Sequence, residues 1–306
     1  MNKSVFEWIL HDLQQGRRAA LRVNAQGKEY VRAFVPKDRL IILGCGHVAQ
    51  ALCETAAALD YEIIAVDDRP DFANTQRFPK ADRVICGGFV DTVHSLVVRD
   101  TDYICVITRG HKWDRECITA ILNGAVMPYY LGMISSRRRA DGLRELLADE
   151  GYASDRIDRI HAPIGLSIGA VTVAEIAVSI CAELVQCRRQ NNPDRMIGEL
   201  SQTNTDLDLL RCLAQGREPR AMLLALSSDG STPVKSGAMM AVNRLGKGFG
   251  TIGGGCGEAA AIMRARRLIG TGASEVVNLD MTNEVAAEDG MVCGGSMKIL
   301  IEDITD

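Results

Sequence analysis

Apolar residues in this chain fall into short unbroken runs separated by longer segments with helical spacing. Residues 39–43, Arg-Leu-Ile-Ile-Leu, are too few for a helix and too uniformly apolar for a half-exposed strand, which predicts a strand covered on both faces. The string Gly44-Cys45-Gly46-His47-Val48-Ala49 follows at once. Ala49, Leu52, Ala56 and Leu59 then recur at helical steps. Further strands are predicted at 61–67, 83–86, 103–108 and 128–134, with helix-like text between each pair. Residues 170–189 read as a long helix packed on the sheet. Strands alternating with helices imply parallel pairing through right-handed crossovers, hence a doubly wound sheet over 37–190.

The pattern then changes. Residues 191–206 are polar, contain Pro193, and read as a linker. Beyond them, strands are predicted at 221–227, 238–242, 247–252, 274–281 and 296–304, with a helix at 256–269. This describes a smaller α+β domain over 207–306 with glycine- and cysteine-rich loops. Residues 1–36 read as a separate helix/strand extension. Leu13-Gln14-Gln15-Gly16-Arg17 is echoed by Leu213-Ala214-Gln215-Gly216-Arg217, and each string ends an apolar helix before a strand-like run. The extension is either a relic of the second domain's opening or a chance likeness.

The Gly44–Ala49 string has the G-x-G-x-x-A form of a dinucleotide fingerprint, with a strand before it and a helix after it. Gly44 permits the tight turn, Gly46 the approach of a pyrophosphate, and Ala49 close helix–strand packing. The helix N-terminus, with His47 and Val48 in its first turn, offers free N–H groups and partial positive charge to phosphate. Asp67 ends the second strand, where a carboxylate accepts hydrogen bonds from ribose hydroxyls, and Asp68 lies beside it. Arg69 next in line could tolerate a phosphate instead. The doubly wound domain is therefore expected to be Rossmann-like. Thr108-Arg109-Gly110-His111 and the loop 132–137 fall at later strand ends, where such sheets bind ligands. No Ser–His–Asp arrangement or nucleophile elbow is present, so no catalytic residue is assigned.

Composition narrows the partners. Of the 306 residues, 47% are hydrophobic and 24% charged, enough apolar material for two cores. The net charge of −4 argues against nucleic acid as main partner. Arg137-Arg138-Arg139 reads as a solvated helix start. The N-terminus lacks a signal-peptide pattern and no run is long enough to cross a bilayer, so no membrane association and a cytoplasmic location are expected. Ten cysteines are scattered without a C-x-x-C pair, which argues against a structural zinc site. Cys53, Cys105, Cys117 and Cys181 sit in apolar patterns and read as small core residues.

Two cysteines sit differently. Gly253-Gly254-Gly255-Cys256-Gly257-Glu258 ends a strand and starts a helix, and so many glycines suit backbone approach to a ligand more than core packing. A thiolate at a helix N-terminus is favoured by the dipole, and a soft thiolate suits a soft metal or sulfur chemistry. Cys293-Gly294-Gly295 repeats the theme. The candidate ligand-contacting set is thus Gly44, Gly46, His47, Val48, Asp67, Asp68, Thr108, Arg109, Gly110, His111, Gly254, Gly255, Cys256, Glu258 and Cys293, with Cys256 the candidate metal contact.

Together the strings GCGHVAQAL, VDDRPDFANTQRFPKAD, TRGHKWD, GMISSRRR, HAPIGLSIGAVTVAEIAVSI, GSTPVKSGAMM, GTIGGGCGEA and MVCGGSMKILIE resemble the xanthine dehydrogenase accessory family, of XdhC/CoxI type. The resemblance implies binding of molybdenum cofactor, as molybdopterin or its cytosine dinucleotide, protection of its sulfurated form, and insertion into an apo molybdenum hydroxylase. It also implies work with a cysteine desulfurase and a homodimeric state. By the same resemblance, Cys256 and Cys293 lie near the cofactor, and the Gly44–Ala49 loop with Asp67 lies at a nucleotide. The domain order here is the reverse of the usual one, and Ser135, Ser167 and Val173 stand where glycine, aspartate and proline are usual. An NAD(P)-dependent oxidoreductase and an NAD-binding redox-sensing regulator are the rival readings of the bare fold, with NAD(P) as cofactor. A cofactor-insertion chaperone is favoured over a catalyst.

Overall fold

A computed structural model describes residues 1–190, 200, 205–230, 232, 234–280 and 295–305. The chain opens with α1 (Ser4–Gln14), β1 (Ala19–Ala25) and β2 (Lys28–Phe34). Next come β3 (Arg39–Leu43), α2 (His47–Ala57), β4 (Glu62–Asp67), β5 (Arg83–Cys86), α3 (Phe89–Leu96), β6 (Tyr103–Val106), α4 (His111–Leu122), β7 (Tyr130–Met133), α5 (Arg137–Asp149), α6 (Ser154–Ile157), β8 (Ile160–His161) and α7 (Val173–Gln190). The last stretch holds α8 (Leu207–Gln215), β9 (Arg220–Asp229), β10 (Met239–Asn243), β11 (Gly248–Gly250), α9 (Gly255–Leu268), β12 (Ser274–Asp280) and β13 (Ser296–Ile304). Two compact units result: residues 37–193, and residues 1–36 together with 194–306.

The 37–193 unit is built on a six-stranded sheet in the order β5-β4-β3-β6-β7-β8, with every pairing parallel. This is a Rossmann-like doubly wound sheet, and its strand order reverses between β3 and β6. All five residues of β3 are buried. Leu40 and Ile42 join the core under α2 and α7, whereas Ile41 and Leu43 join the core with Phe89, Val93, Cys117 and Ile118 from α3 and α4. The two-residue side-chain period of a strand thus feeds both layers, which is why this run shows no alternation. Cys53, Cys105, Cys117 and Cys181 are all buried in these two cores.

One crossover departs from expectation. Residues 68–82 between β4 and β5 form turns, without the helix expected there. Pro70 and Pro79 remove amide donors, and the Asn74 side chain competes for the backbone, bonding the Pro70 and Asp71 carbonyls and the Arg77 amide.

The other unit holds a five-stranded antiparallel sheet ordered β11-β10-β9-β13-β12. One face carries Ala221, Leu223, Ala225, Ile299 and Ile301 against Ala261 and Ala265 of α9. The opposite face carries Met222, Leu224, Leu226 and Leu300 into a core shared with α1, α8 and the β1–β2 hairpin. Residues 1–36, read from sequence as an extension, are therefore part of this unit, and Asn2 bridges Thr305 to tie them to its last strand. The two echoed helices pack in one core, but their closing glycines do different work. Gly16 sits at φ +69°, whereas Gly216 is extended and leaves room for the Arg220 guanidinium, which a Cβ there would strike. Among the described residues no helix is long and apolar enough to cross a membrane.

At the N-terminal edge of the parallel sheet, Arg39 and Asp102 form a buried two-pronged ion pair, with Nε–Oδ1 at 2.8 Å and Nη2–Oδ2 at 2.5 Å. The same guanidinium also bonds the Leu96 and Val97 carbonyls. Removing one partner leaves the other charge buried and unpaired. Asp102→Ala is expected to cost about 3–5 kcal/mol of stability, read as a lowered urea midpoint. A loss below about 1 kcal/mol would show that Arg39 reaches solvent by another route.

Candidate functional site

At the C-terminal edge of the parallel sheet, three loops meet around the point where strand order reverses. Gly44 takes φ +106°, and a Cβ there would collide with the Ile107 carbonyl oxygen. Glycine is required because the β3–α2 loop presses on the backbone that leaves β6. Gly46 caps α2 in an extended conformation and makes no side-chain capping bond. The first N–H groups of α2, at His47 and Val48, therefore have no helical partner. A Cβ on Gly46 would meet nothing within 4 Å, and the same holds at Gly110, the cap of α4. His47, Arg109 and His111 are exposed.

Asp67 is buried at the end of β4. Its Oδ2 accepts from the Cys45 amide at 2.8 Å and from Arg69 Nη2 at 3.0 Å, while its Oδ1 accepts from the Arg69 amide at 3.1 Å and from Arg69 Nε at 2.8 Å. Four donors fill the acceptor positions of one carboxylate. In this arrangement Asp67 shapes the glycine loop and has nothing left for a ribose hydroxyl. Cys45 itself is buried, and desolvation together with the Asp67 charge pushes its thiol up to about 12, so it is an inert core group.

Asp68 turns the other way. Arg109 grips it with both prongs, Nη2–Oδ2 being 2.8 Å, and this hydrogen bond holds the Asp68 carboxyl below its ordinary value. Because β4 and β6 flank β3, the pair spans the β3–α2 loop. Arg109 also lies over the Trp113 ring, 4.5 Å from its centroid. Thr108 bonds the buried Asp114, whose carboxyl is raised by burial more than Thr108 and Arg139 lower it. Asp114 and His111 border a cleft of about 280 Å³ between α4 and α5, floored by Met133, Leu143 and Leu146.

In the other unit, the expected glycine loop is present. Gly253, Gly254 and Gly255 all take positive φ, at 123°, 71° and 68°. Glu258, a candidate ligand contact, folds back instead onto its own loop and accepts from Thr251 Oγ1, Ile252 N and Gly254 N at 2.6, 2.9 and 3.0 Å. Cys256 falls in the first turn of α9. Its side chain, and Cys293 as a whole, lie outside the described residues. Among the described residues no group of three or more His, Cys, Asp or Glu side chains is placed to hold a metal.

Comparison with known proteins matches residues 40–184 to the XdhC Rossmann domain and residues 213–280 to the XdhC and CoxI family. The chain belongs to the XdhC and CoxI family. Three relatives set its place there. The uncharacterized protein YqeB of Escherichia coli K12 is 29% identical over 203 residues, covering 61% of this chain and 37% of that protein. A probable xanthine dehydrogenase subunit of Bacillus subtilis 168 is 29% identical over 161 residues, covering 53% and 46%. The molybdenum cofactor insertion chaperone PaoD of E. coli K12 is 26% identical over 202 residues, covering 61% and 56%. The matched region thus spans about half the length of these relatives.

Two groups in this XdhC-type chain were not legible as site residues. Arg77, on the 68–82 crossover, lies 5.1 Å from the Phe72 centroid on a ring that Arg69 also covers at 3.7 Å. Glu183 on α7 gathers Tyr130 Oη, the Gly165 amide at 2.7 Å and His161 Nδ1 at 3.0 Å. The first cluster lies within the 66–82 string, whereas the second joins residues far apart in sequence, with only the 161–180 string hinting at it.

The Glu258 loop carries a pH dependence. Burial raises this carboxyl, but the bonds from Thr251, Ile252 and Gly254 outweigh it, so its folded value lies below the ordinary 4.5. The stabilisation is complete above 4.5 and is lost as pH falls below it toward the folded value. Hydrogen exchange, corrected for intrinsic rate, should show Ile252 and Gly254 losing protection over that window. Glu258→Ala should show the loss already at pH 7. Unchanged protection in Glu258→Ala would mean the glycines hold the loop without it.

Proposed function

We propose that this chain is an accessory protein for molybdenum cofactor insertion, with a nucleotide at the Rossmann edge and the pterin near the glycine loop of Cys256. The carrying observation is the pair of helix N-termini, α2 and α4, that open beside the strand-order reversal without side-chain caps and with free space at Gly46 and Gly110. Membership of the XdhC and CoxI family and the likeness to the PaoD chaperone support the cofactor as cargo.

The residues fit a phosphate-bearing group. The amides of His47 and Val48 face a phosphate at Gly46, Arg109 lies at its rim, and among the described residues no side chain fills the space beside Gly46. When bound, the cofactor supplies the redox-active molybdenum that a recipient hydroxylase uses. The chain's part is to hold phosphate and to offer the Cys256 thiol from a helix N-terminus, where the dipole favours thiolate. A xanthine dehydrogenase-type hydroxylase is the recipient in this reading. A cysteine desulfurase is the partner that maintains sulfuration, the protein acts as a homodimer, and the setting is the cytoplasm.

Anaerobic purification from a cofactor-producing host should yield near-stoichiometric pterin, measured by fluorescence after acid oxidation. Cys256→Ala should lower that content several-fold. Absence of pterin, with NAD(H) released in its place, would favour the oxidoreductase or redox-sensor reading. For the Rossmann edge, Gly46→Asp is the discriminating change. Its side chain has room and a good capping group, so the melting temperature should hold or rise slightly, while the added carboxylate repels phosphate and lowers nucleotide affinity at least about tenfold. Undiminished affinity in a folded Gly46→Asp protein would remove the glycine loop from the site.

A further inference from the structure

We propose that the corner beyond β4 formed by Arg69, Phe72 and Arg77 receives a phosphate carried on a ribose, so that the nucleotide at this edge is one phosphorylated at its 2′ or 3′ position. The inference rests on the reading of the Gly44–Ala49 loop as a nucleotide site, because that loop fixes where a ribose would lie.

A ribose with a free diol must donate two hydroxyl protons, and Rossmann sheets meet this need with a carboxylate at the end of the second strand. Here that carboxylate is Asp67, and its acceptor positions are taken by the Cys45 amide, the Arg69 amide and two nitrogens of the Arg69 guanidinium. Gln50 Oε1, the neighbouring acceptor on α2, takes a bond from Arg77 Nη2 at 3.3 Å. Asp68 is gripped by Arg109 from the far side of the glycine loop.

Donors, by contrast, are in surplus. A guanidinium carries five N–H bonds, and Arg69 spends one from Nε and one from Nη2 on Asp67. Its stacking on Phe72, 3.7 Å from the ring centroid, uses the face of the group and leaves the in-plane N–H bonds directed outward. Arg77 approaches the same ring at 5.1 Å, and its Nε is buried with no hydrogen-bond partner. Two guanidinia braced on one aromatic ring, with donors to spare and the nearby acceptors spent, match a group that only accepts. A phosphomonoester dianion is such a group, and arginine forks suit its geometry.

Calorimetric titration of the full chain with 2′,5′-ADP, 3′,5′-ADP, 5′-AMP and 5′-CMP tests this directly. At low ionic strength, one of the two bisphosphates should bind at least about tenfold tighter than 5′-AMP or 5′-CMP, and which one it is identifies the ribose position. Arg77→Gln should bring that preference to within about twofold while the monophosphates still bind. Arg69→Lys, which keeps a cation on the buried Asp67, should weaken it as well, and provides a second reading should Arg77→Gln fold poorly. Equal affinity for mono- and bisphosphates, or a preference that survives both substitutions, overturns the proposal and leaves the nucleotide site standing. Failure of all four probes to bind overturns the nucleotide site itself, and the proposal with it.

Discussion

The C-terminal edge of the parallel sheet is organised by one buried carboxylate. A charge taken out of water must be compensated by donors placed around it, or it will not remain charged. Asp67 is compensated by the Cys45 amide of the glycine loop and by Arg69, two residues beyond it in the chain. That fixes the loop after β3 against the end of β4, and Gly44 in turn can press on the backbone leaving β6. The geometry of all three loops follows from satisfying this one group.

The two glycine-rich loops of the chain answer the same problem in opposite ways. At α9, the helix N-terminus is closed by a carboxylate from its own first turn, Glu258, and positive φ at three successive glycines makes that fold-back feasible. At α2 and α4, no side chain caps the helix, and the positive ends of both dipoles stay open. An incoming anion meets a carboxylate at the α9 loop and, more buried, at α4 in Asp114, but none in the first turn of α2. The proposed division between thiol chemistry at one loop and phosphate binding at the other follows this difference.

Much of the scaffold was legible because β3, β4 and β6 are apolar runs with turn residues near their ends, and the sheet core of the 37–193 unit is built largely from them. What escaped was governed by side chains competing with backbone. Nothing in the spacing of Asp67 distinguishes a carboxylate free for a ribose from one saturated by Arg69. Asn74 and two prolines overrode the helix expected at 68–82. Glu258, read as a ligand contact, spends its carboxylate on local hydrogen bonds that hold the loop. The two-residue strand Ile160–His161 offers no run to read, and it exists because β7 presents an open edge. The placement of residues 1–36 depended on packing across almost the whole chain, which no local pattern encodes.

That placement has a consequence for the order of events during synthesis. Phe6, Ile9, Leu10 and Leu13 share their core with the adjacent β1–β2 hairpin, but also with α8, β9 and β13 from far later in the chain. The Rossmann unit, lying between them in the chain, contains its own core and can close as soon as α7 has left the ribosome. The α1 helix and the β1–β2 hairpin can pack on each other, but part of their apolar surface stays unmatched while roughly 170 further residues are made. In a nascent chain of this design, residues 1–36 stay open to chaperones, and to misassociation with a neighbour on the same messenger, for longer than the Rossmann unit that follows them.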